Sequence, residues 1–375
     1  MGLDLGFGPI EVNDFLVQFV ATLIKIAVVI GGCLQIPPLM IWLERRGPAL
    51  MQRRRGPNRV GIEIGFIRTR LWGLMQVAAD TVKLIFKEEV VPAKAYKFWF
   101  QVAPMFGVFP AMLMVAAIPF GNDLVIGGYR VPLSIINLDV GFLFILAMSG
   151  IGVYGVTLAG WASANKFSLL GSLRASAQMI SYEIPLGLAL VPMVLVFGTF
   201  DLNEICMAQD TVLNWGVFRG YFIVGPLSLM LFIISMFAET NRAPFDLAEG
   251  ESELVAGFHT EYNSAKFAAF FLAEYIAMFV LSCLCSIFFF GGWQIPFLPY
   301  DALVELTGSQ NIASLLGVGA LLLKAAFFMW FYVWVRWTLP RFRYDQLMNL
   351  GWKFMLPTGL ANVFFAAFIM AMATF

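Results

Sequence analysis

Long apolar runs alternate with short polar segments along this chain of 375 residues. Eight runs are long enough to cross the hydrocarbon core of a bilayer, at about 15–43, 98–119, 140–160, 175–198, 220–237, 266–290, 312–335 and 353–374. They predict an all-α polytopic fold: eight transmembrane helices in a single membrane domain, 1–375. The fifth run is the shortest, and the first is long enough to extend past the membrane. An even count puts both termini on one side. The first run is also too long for the apolar core of a cleavable signal and lacks a basic leader, so it reads as a retained span. No internal repeat is visible, so an inverted-repeat transporter fold lacks its usual trace.

The period changes between the first two runs. Within 67–87, apolar residues recur at 67, 71, 74, 78, 82 and 85, with Gln76, Asp80, Lys83 and Lys87 on the other stripe. This predicts an amphipathic helix over 67–87, too polar to span, lying in the interface of the loop 44–97. Two readings stay open: a surface anchor, or a roof over a cavity with Asp80 and Lys83 turned inward. On the opposite side, the glycine- and proline-rich 2–3 and 6–7 connections read as turns and a longer loop.

Composition agrees with a bilayer as solvent. The chain is 60% hydrophobic and 13% charged, against about 25% charged in soluble domains. Net charge is zero, so nothing attracts nucleic acid. The positions of the charges carry more information. The loop 44–97 holds twelve Lys and Arg residues, and the loops after runs three, five and seven hold eight more, out of 24 in all. Positive residues stay inside, so these loops are cytoplasmic or matrix-facing and both termini lie outside. The four cysteines form no CxxC pair and there is one histidine, His259. Paired-histidine haem is excluded; a metal site or a Ser-His-Asp centre has no support.

One cytoplasmic loop breaks the basic pattern. Residues 238–265 carry Glu239, Asp246, Glu249, Glu251, Glu253 and Glu261, with Arg242 as the formal base. Phe245, Leu247, Leu254, Val255 and Phe258 are interleaved and favour burial, and Pro244 and Gly250 shape the path. Two carboxylates about 6 Å apart at an effective dielectric of about 20 repel by roughly 2.8 kcal/mol, about two pKa units. A partly buried cluster of this kind shares its protons, as a proton path requires. A solvated loop that binds a basic partner is the alternative. Glu183 (followed by Pro185), Glu274 and Lys324 fall inside apolar runs, where a charge must face protein or water. They read as a proton relay or as structural interhelical pairs. Two basic segments complete the set. Residues 44–58 contain Glu44, Arg45, Gln52, Arg53, Arg54 and Arg55 and the turn Gly56-Pro57-Asn58, which suggests a surface for a polar headgroup or a docked subunit. Residues 336–346 contain Arg336, Arg341 and Arg343 and read as an interfacial belt or a docking site.

Together these segments resemble one family, the quinone-site membrane subunit of proton-pumping NADH:quinone oxidoreductase, respiratory complex I (the H subunit in bacteria, subunit 1 in mitochondria). The resemblance runs from about 15 to 370. It rests on Glu44-Arg45 with 52–58, Ala79-Asp80 with 83–88, Arg174-Ala175 with Ser181-Tyr182-Glu183, 239–254 with Glu261-Tyr262, and 340–346. The Glu-Thr-Asn-Arg-Ala-Pro-Phe-Asp run at 239–246 is the most specific. The resemblance implies a subunit without its own redox centre, with quinone as substrate and flavin and iron–sulfur clusters in partner subunits. It implies a quinone tunnel at Arg45, Asp80, Phe267, Phe271 and Arg336. It implies an acidic path at Glu183, Glu239, Asp246, Glu249, Glu251, Glu253, Glu261 and Glu274, balanced by Arg174, Arg242 and Lys83. Gln52, Arg53, Arg54, Arg55, Arg341 and Arg343 would dock hydrophilic quinone-module subunits; small membrane-arm subunits and lipids are the other expected partners. The expected location is the bacterial plasma membrane, or alternatively the mitochondrial inner membrane. Competing readings are a related subunit of a membrane-bound hydrogenase or ferredoxin-linked complex, and a stand-alone proton-coupled transporter.

Overall fold

The computed structural model describes residues 12–374 apart from 65, 66, 70, 127, 128, 220–222 and 249. The helices are α1 (Val12–Met51), α2 (Leu74–Phe86), α3 (Lys97–Ala116), α4 (Gly141–Ala162), α5 (Lys166–Phe197), α6 (Leu202–Met207), α7 (Gly216–Arg219) and α8 (Val224–Glu239). They continue with α9 (Glu251–Leu254), α10 (Ser264–Phe289), α11 (Tyr300–Thr307), α12 (Gln310–Thr338), α13 (Tyr344–Asn349) and α14 (Leu356–Thr374). Two small antiparallel hairpins pair Ile62–Ile64 with Ile67–Thr69 and Leu124–Ile126 with Tyr129–Val131.

Among the described residues, seven helical segments are long and apolar enough to cross a membrane: those of α1, α3, α4, α5, α10 and α12, and the continuous stretch Tyr344–Met372. The protein is a multi-pass, all-α membrane protein. The expected fifth span is the exception. Helix α8 has 16 residues, about 24 Å at 1.5 Å per residue, short of a hydrocarbon core of about 30 Å.

Helix α10 is the central pillar. From Tyr275 to Phe289 every side chain except Ala277 is buried. Helices α3, α4, α5 and α8 pack around it or against one another. The approach of α3 to α4 leaves no room for a side chain at Gly155, where a Cβ would lie 2.8 Å from the Gly107 nitrogen. Small residues at such crossings let backbones meet in a bilayer. Helix α1 stands apart, with Phe19, Val20, Leu23, Ile24, Val28, Leu34 and Leu39 exposed along one side. Lys25 ties its N-terminal half to the carbonyls of Pro132 and Ser134, at 3.2 and 2.9 Å.

The amphipathic segment differs from the prediction. The helix spans Leu74–Phe86, not 67–87, and 67–69 form a strand. Leu71, Trp72 and Gly73 all take positive φ, so the apolar period crosses a break in the chain. Gly73 has φ +95°, and a Cβ there would lie 2.2 Å from the Pro57 carbonyl oxygen. Asp80 turns towards α1, whereas Lys83 is exposed and joins no inward site. Helix α1 also continues through Glu44 to Met51, so the loop begins later than the polar pattern suggests.

The connections at the other end carry more structure than turns. Asn311, at the start of α12, donates to the Val125 carbonyl and accepts from the Val125 N–H, both at 2.7 Å, which pins the 2–3 hairpin. Lys324 donates to the carbonyls of Phe290, Gly292 and Gln294 at 2.7, 2.8 and 2.6 Å. A lysine inside an apolar run is thus consumed in closing the chain beyond the C-terminus of α10, where a positive charge is favoured. Replacing Gly73 by Ala should cost about 2 kcal/mol, through strain at positive φ and the clash with Pro57. A lower thermal midpoint of the protein in mild detergent is the measurement that checks this.

Candidate functional site

Helix α8 ends in a turn that sets the site. Asn241 lies in the left-handed region at φ 50°. Its N–H donates to the Ala238 carbonyl and the Arg242 N–H donates to the Phe237 carbonyl, at 3.3 and 3.2 Å. This is the Schellman pattern, with asparagine where glycine is commoner. It reverses the chain and turns Arg242 back into the bundle, where its side chain is 7% exposed.

There Arg242 joins two acids from different helices. It donates to Glu44 of α1 at 3.0 Å and pairs through Nε with Glu274 of α10. Its guanidinium lies 4.5 Å from the centre of the Tyr275 ring. Glu44 also accepts from Arg336 of α12 at 2.8 Å and from the Tyr275 hydroxyl at 3.1 Å. Burial works against the Arg242 charge, but Glu274, Tyr275 and Glu44 outweigh it and hold its pKa well above the ordinary value. Arg242 therefore stays cationic.

Other acids of the 238–265 loop find partners in separate segments. Asp246 pairs with Arg341 at 2.8 Å and Glu253 with Arg174 at 2.6 Å. Asn165, which caps α5, donates to Glu261 at 2.6 Å. The apolar residues between them pack inward: Phe245, Leu247, Leu254 and Phe258 are buried, while Val255 is exposed. Phe245 packs at a tilt against Tyr182 and Phe342, with ring centres 5.7 and 5.4 Å away. Glu249 lies outside the described residues, as does the side chain of Glu251.

Two adjacent residues of α4 touch the deeper acids. Ser149 donates to Glu239 at 2.5 Å. A Cβ on Gly150 would lie 2.9 Å from a Glu183 oxygen, so that carboxylate rests against the α4 backbone. Glu239 is buried, and its second oxygen, the Gln178 Oε1 and the Ser235 Oγ are buried without a hydrogen-bond partner.

Two cavities meet this framework. One, of about 670 Å³, is walled by Glu44, Arg45, Arg54, Arg55, Arg59 and Arg336 with Pro48, Pro57 and Trp337. The other, of about 100 Å³, runs between α3, α4, α5 and α10, with Ser149, Glu239, Asn241, His259 and Glu274 as its polar wall. Glu44 faces the first and Glu274 the second, so Arg242 is held between them.

The expected tunnel residues divide accordingly. Arg45 and Arg336 line the larger cavity, and Asp80 pairs with Arg45 behind it. Phe267 and Phe271 line neither cavity; they pack on His259, with ring centres 5.6 Å away, and Phe271 lies 6.3 Å from Tyr275. Gln52, Arg53, Arg54 and Arg55 are exposed, with Arg54 bonded to Gln52 at 2.7 Å. Arg343 pairs with Asp345, at 3.3 Å and largely in solvent, a pair of little energetic weight. Sequence reasoning missed the central place of Glu44, with Tyr275 and Ser149. The available signal was an acid opening the basic loop, at the end of a run with no other charge except Lys25.

Known proteins match along nearly the whole chain. A family model described as NADH dehydrogenase covers residues 24–367. The H subunit of NADH-quinone oxidoreductase from Bdellovibrio bacteriovorus is 42% identical, over 94% of this chain and 96% of the relative. This chain belongs to the H-subunit family of complex I. The H subunit from Flavobacterium psychrophilum is 44% identical over 92% of this chain and 96% of its own. NADH-quinone oxidoreductase subunit 8 of Rhodothermus marinus is 45% identical over 90% and 94%. A chain of this family is part of an enzyme complex whose substrate is a quinone and whose other subunits are its partners. The hydrogenase and stand-alone transporter readings give way to this one. Among the described residues, no group of three His, Cys, Asp or Glu could hold a metal ion.

Removing one member of the buried ionic group leaves the others uncompensated. Glu44→Gln should destabilise the protein by about 3 kcal/mol. A reduced unfolding midpoint, with less of the loss in a Glu44→Gln/Arg336→Gln double variant, checks this.

Proposed function

We propose that this protein admits the quinone head into the arginine-walled cavity and passes the electrostatic effect of its reduction to a buried acidic path. The observation that carries the reading is the Arg242 guanidinium shared between Glu44 on one cavity and Glu274 on the other. The larger cavity, about 670 Å³, falls in the range of roughly 300–1,000 Å³ typical of small-molecule sites. The smaller, about 100 Å³, suits a few water molecules, at about 30 Å³ each in the liquid.

Reduction takes a quinone, two electrons and two protons to the quinol; the electrons arrive from a neighbouring subunit that carries the iron–sulfur clusters. Negative charge growing on the quinone oxygens is stabilised by Arg45 and Arg336. Arg336 is then drawn from Glu44, and Glu44 competes harder for Arg242. A unit charge about 8 Å away at an effective dielectric of about 20 contributes roughly 2 kcal/mol. A weakened grip of Arg242 on Glu274 lets that carboxylate take up a proton. Glu239 of α8 and Glu183 of α5, which meet the adjacent α4 residues Ser149 and Gly150, continue the path. The unpartnered oxygens of Glu239, Gln178 and Ser235 support internal water there, since buried polar groups are nearly always satisfied. Phe267 and Phe271 narrow the way between the cavities. Asp246, Glu249, Glu251, Glu253 and Glu261 form the outer acids, with Arg174 as a charge partner.

The exposed Gln52 to Arg55, with Arg341 and Arg343, dock the hydrophilic arm that holds flavin and clusters; small membrane-arm subunits and lipids meet the spans. The basic loops face the cytoplasm of a bacterium, both termini face the periplasm, and the seven long helices cross, with the shorter α8 making the eighth crossing where the bilayer thins against it. In assembled membranes, Glu183→Gln and Glu239→Gln should each lower NADH:quinone turnover and proton translocation together, by at least tenfold. Asp301→Asn, in α11 at the other end of the bundle, should leave both intact. Normal turnover with normal proton stoichiometry in both glutamate variants would overturn the proposal.

A further inference from the structure

The last apolar stretch is not a regular helix. Between α13 and α14, residues Leu350–Met355 form a π turn inside the continuous helix Tyr344–Met372. A π turn is a single-turn irregularity that is often kept at functional sites. Here it bonds one place further along the chain, as the Leu356 N–H donating to the Gly351 carbonyl shows. In a bilayer each displaced backbone group still needs a partner. At the entry to the turn the Leu347 carbonyl, which accepts from the Leu350 N–H, takes a second bond from the Tyr182 hydroxyl on α5, at 2.8 Å.

Two further contacts come from the same turn. The Trp352 indole N–H donates to the Ser181 hydroxyl at 3.2 Å. Gly351 lies flat on the Tyr182 ring, where an added Cβ would stand 3.4 Å from two ring carbons. Ser181 and Tyr182 are the two residues immediately before Glu183. Tyr182 is fully buried and also meets Phe245 of the acid-rich loop. Glu183 itself is pressed against α4 at Gly150.

We infer that the π turn Leu350–Met355 is a positioning element for the Glu183 segment of α5, acting through Trp352 on Ser181 and through the Leu347 carbonyl on Tyr182. This rests on the reading that Glu183 belongs to the coupling path. Regularising the turn would rotate Gly351 and Trp352 off their partners and free the α5 backbone just where the carboxylate leaves it. The rest of α14 packs on α5 and α8 independently, for instance through the Asn362 amide bonded to Ser228 at 2.8 Å. The device therefore sets the carboxylate's position and not the docking of the whole helix.

The test uses the assembled complex in native membranes, with its amount measured by native electrophoresis. Trp352→Phe keeps the ring and removes the donor; Ser181→Ala removes the acceptor. Each should lower quinone-reductase turnover about fivefold, the factor carried by one hydrogen bond of about 1 kcal/mol. Protons moved per electron pair should fall as well, and the KM for quinone should stay unchanged. The double variant should be no worse than either single, because both remove the same bond. Wild-type turnover and stoichiometry in Trp352→Phe, or losses that simply add, would overturn the inference. If Trp352→Phe does not assemble, Tyr182→Phe decides by the same two readouts, since it removes the bond from α5 to the Leu347 carbonyl. Glu183→Gln run alongside separates the failures: a silent Glu183→Gln removes the coupling reading, and an impaired Glu183→Gln beside a silent Trp352→Phe removes only this inference.

Discussion

A single guanidinium with three neighbours in a dry place governs the arrangement of this protein. Arg242 cannot lose its proton, and burial makes its charge expensive unless acids surround it. Glu44 and Glu274 must therefore come to it from α1 and α10, and Tyr275 must lie beneath it. Glu44 then has capacity left for Arg336, which fixes the end of α12. One charge requirement thus brings together four segments far apart in sequence. It does so at the boundary between an arginine-walled cavity and a narrow, mostly apolar one.

The turn that aims Arg242 shows how local rules serve this requirement. Asn241 in the left-handed region ends α8 and satisfies two of its carbonyls. The next residues are committed by packing: Phe245 enters the aromatic group of Tyr182 and Phe342, and Asp246 meets Arg341. A loop that by charge alone would be solvated is held by ion pairs at its rim and aromatic contacts beneath. The rim pairs are partly exposed and contribute little energy. The buried aromatic contacts carry the larger share.

Much of this was legible in the sequence. Run length and charge deficit specified a multi-pass helical protein, because a bilayer admits few other solutions. The acids and bases that meet were nearly all visible as out-of-place charges: Glu274 inside a run, Arg242 alone among acids, Arg336 at the end of one. What pattern could not supply was pairing. Glu44 looked like one charge in a basic stretch until α1 was seen to pass α10 and α12 together. The helix predicted over 67–87 failed at Gly73 because periodicity does not register backbone sign, and α8, at 16 residues, is shorter than the other spans that hydropathy marked. The π turn was likewise silent, since it changes hydrogen bonding without changing composition.

Helix α1 gives Glu44 an unusual dependence. Its C-terminal third is held by charge and by the packing of Met40 and Ala49, while most of its N-terminal length shows bare apolar side chains to the surroundings. Contacts within this chain alone do not fix its tilt; the bilayer that a multi-pass helix crosses sets it in part. The acid at the centre of the ionic group therefore rides on an element whose pose the bilayer helps to define. Stripping annular lipid from the complex acts on the electrostatics of the site as well as on its solubility, and the hydrophobic thickness of the host membrane becomes a tuning parameter for the register of Glu44 against Arg242.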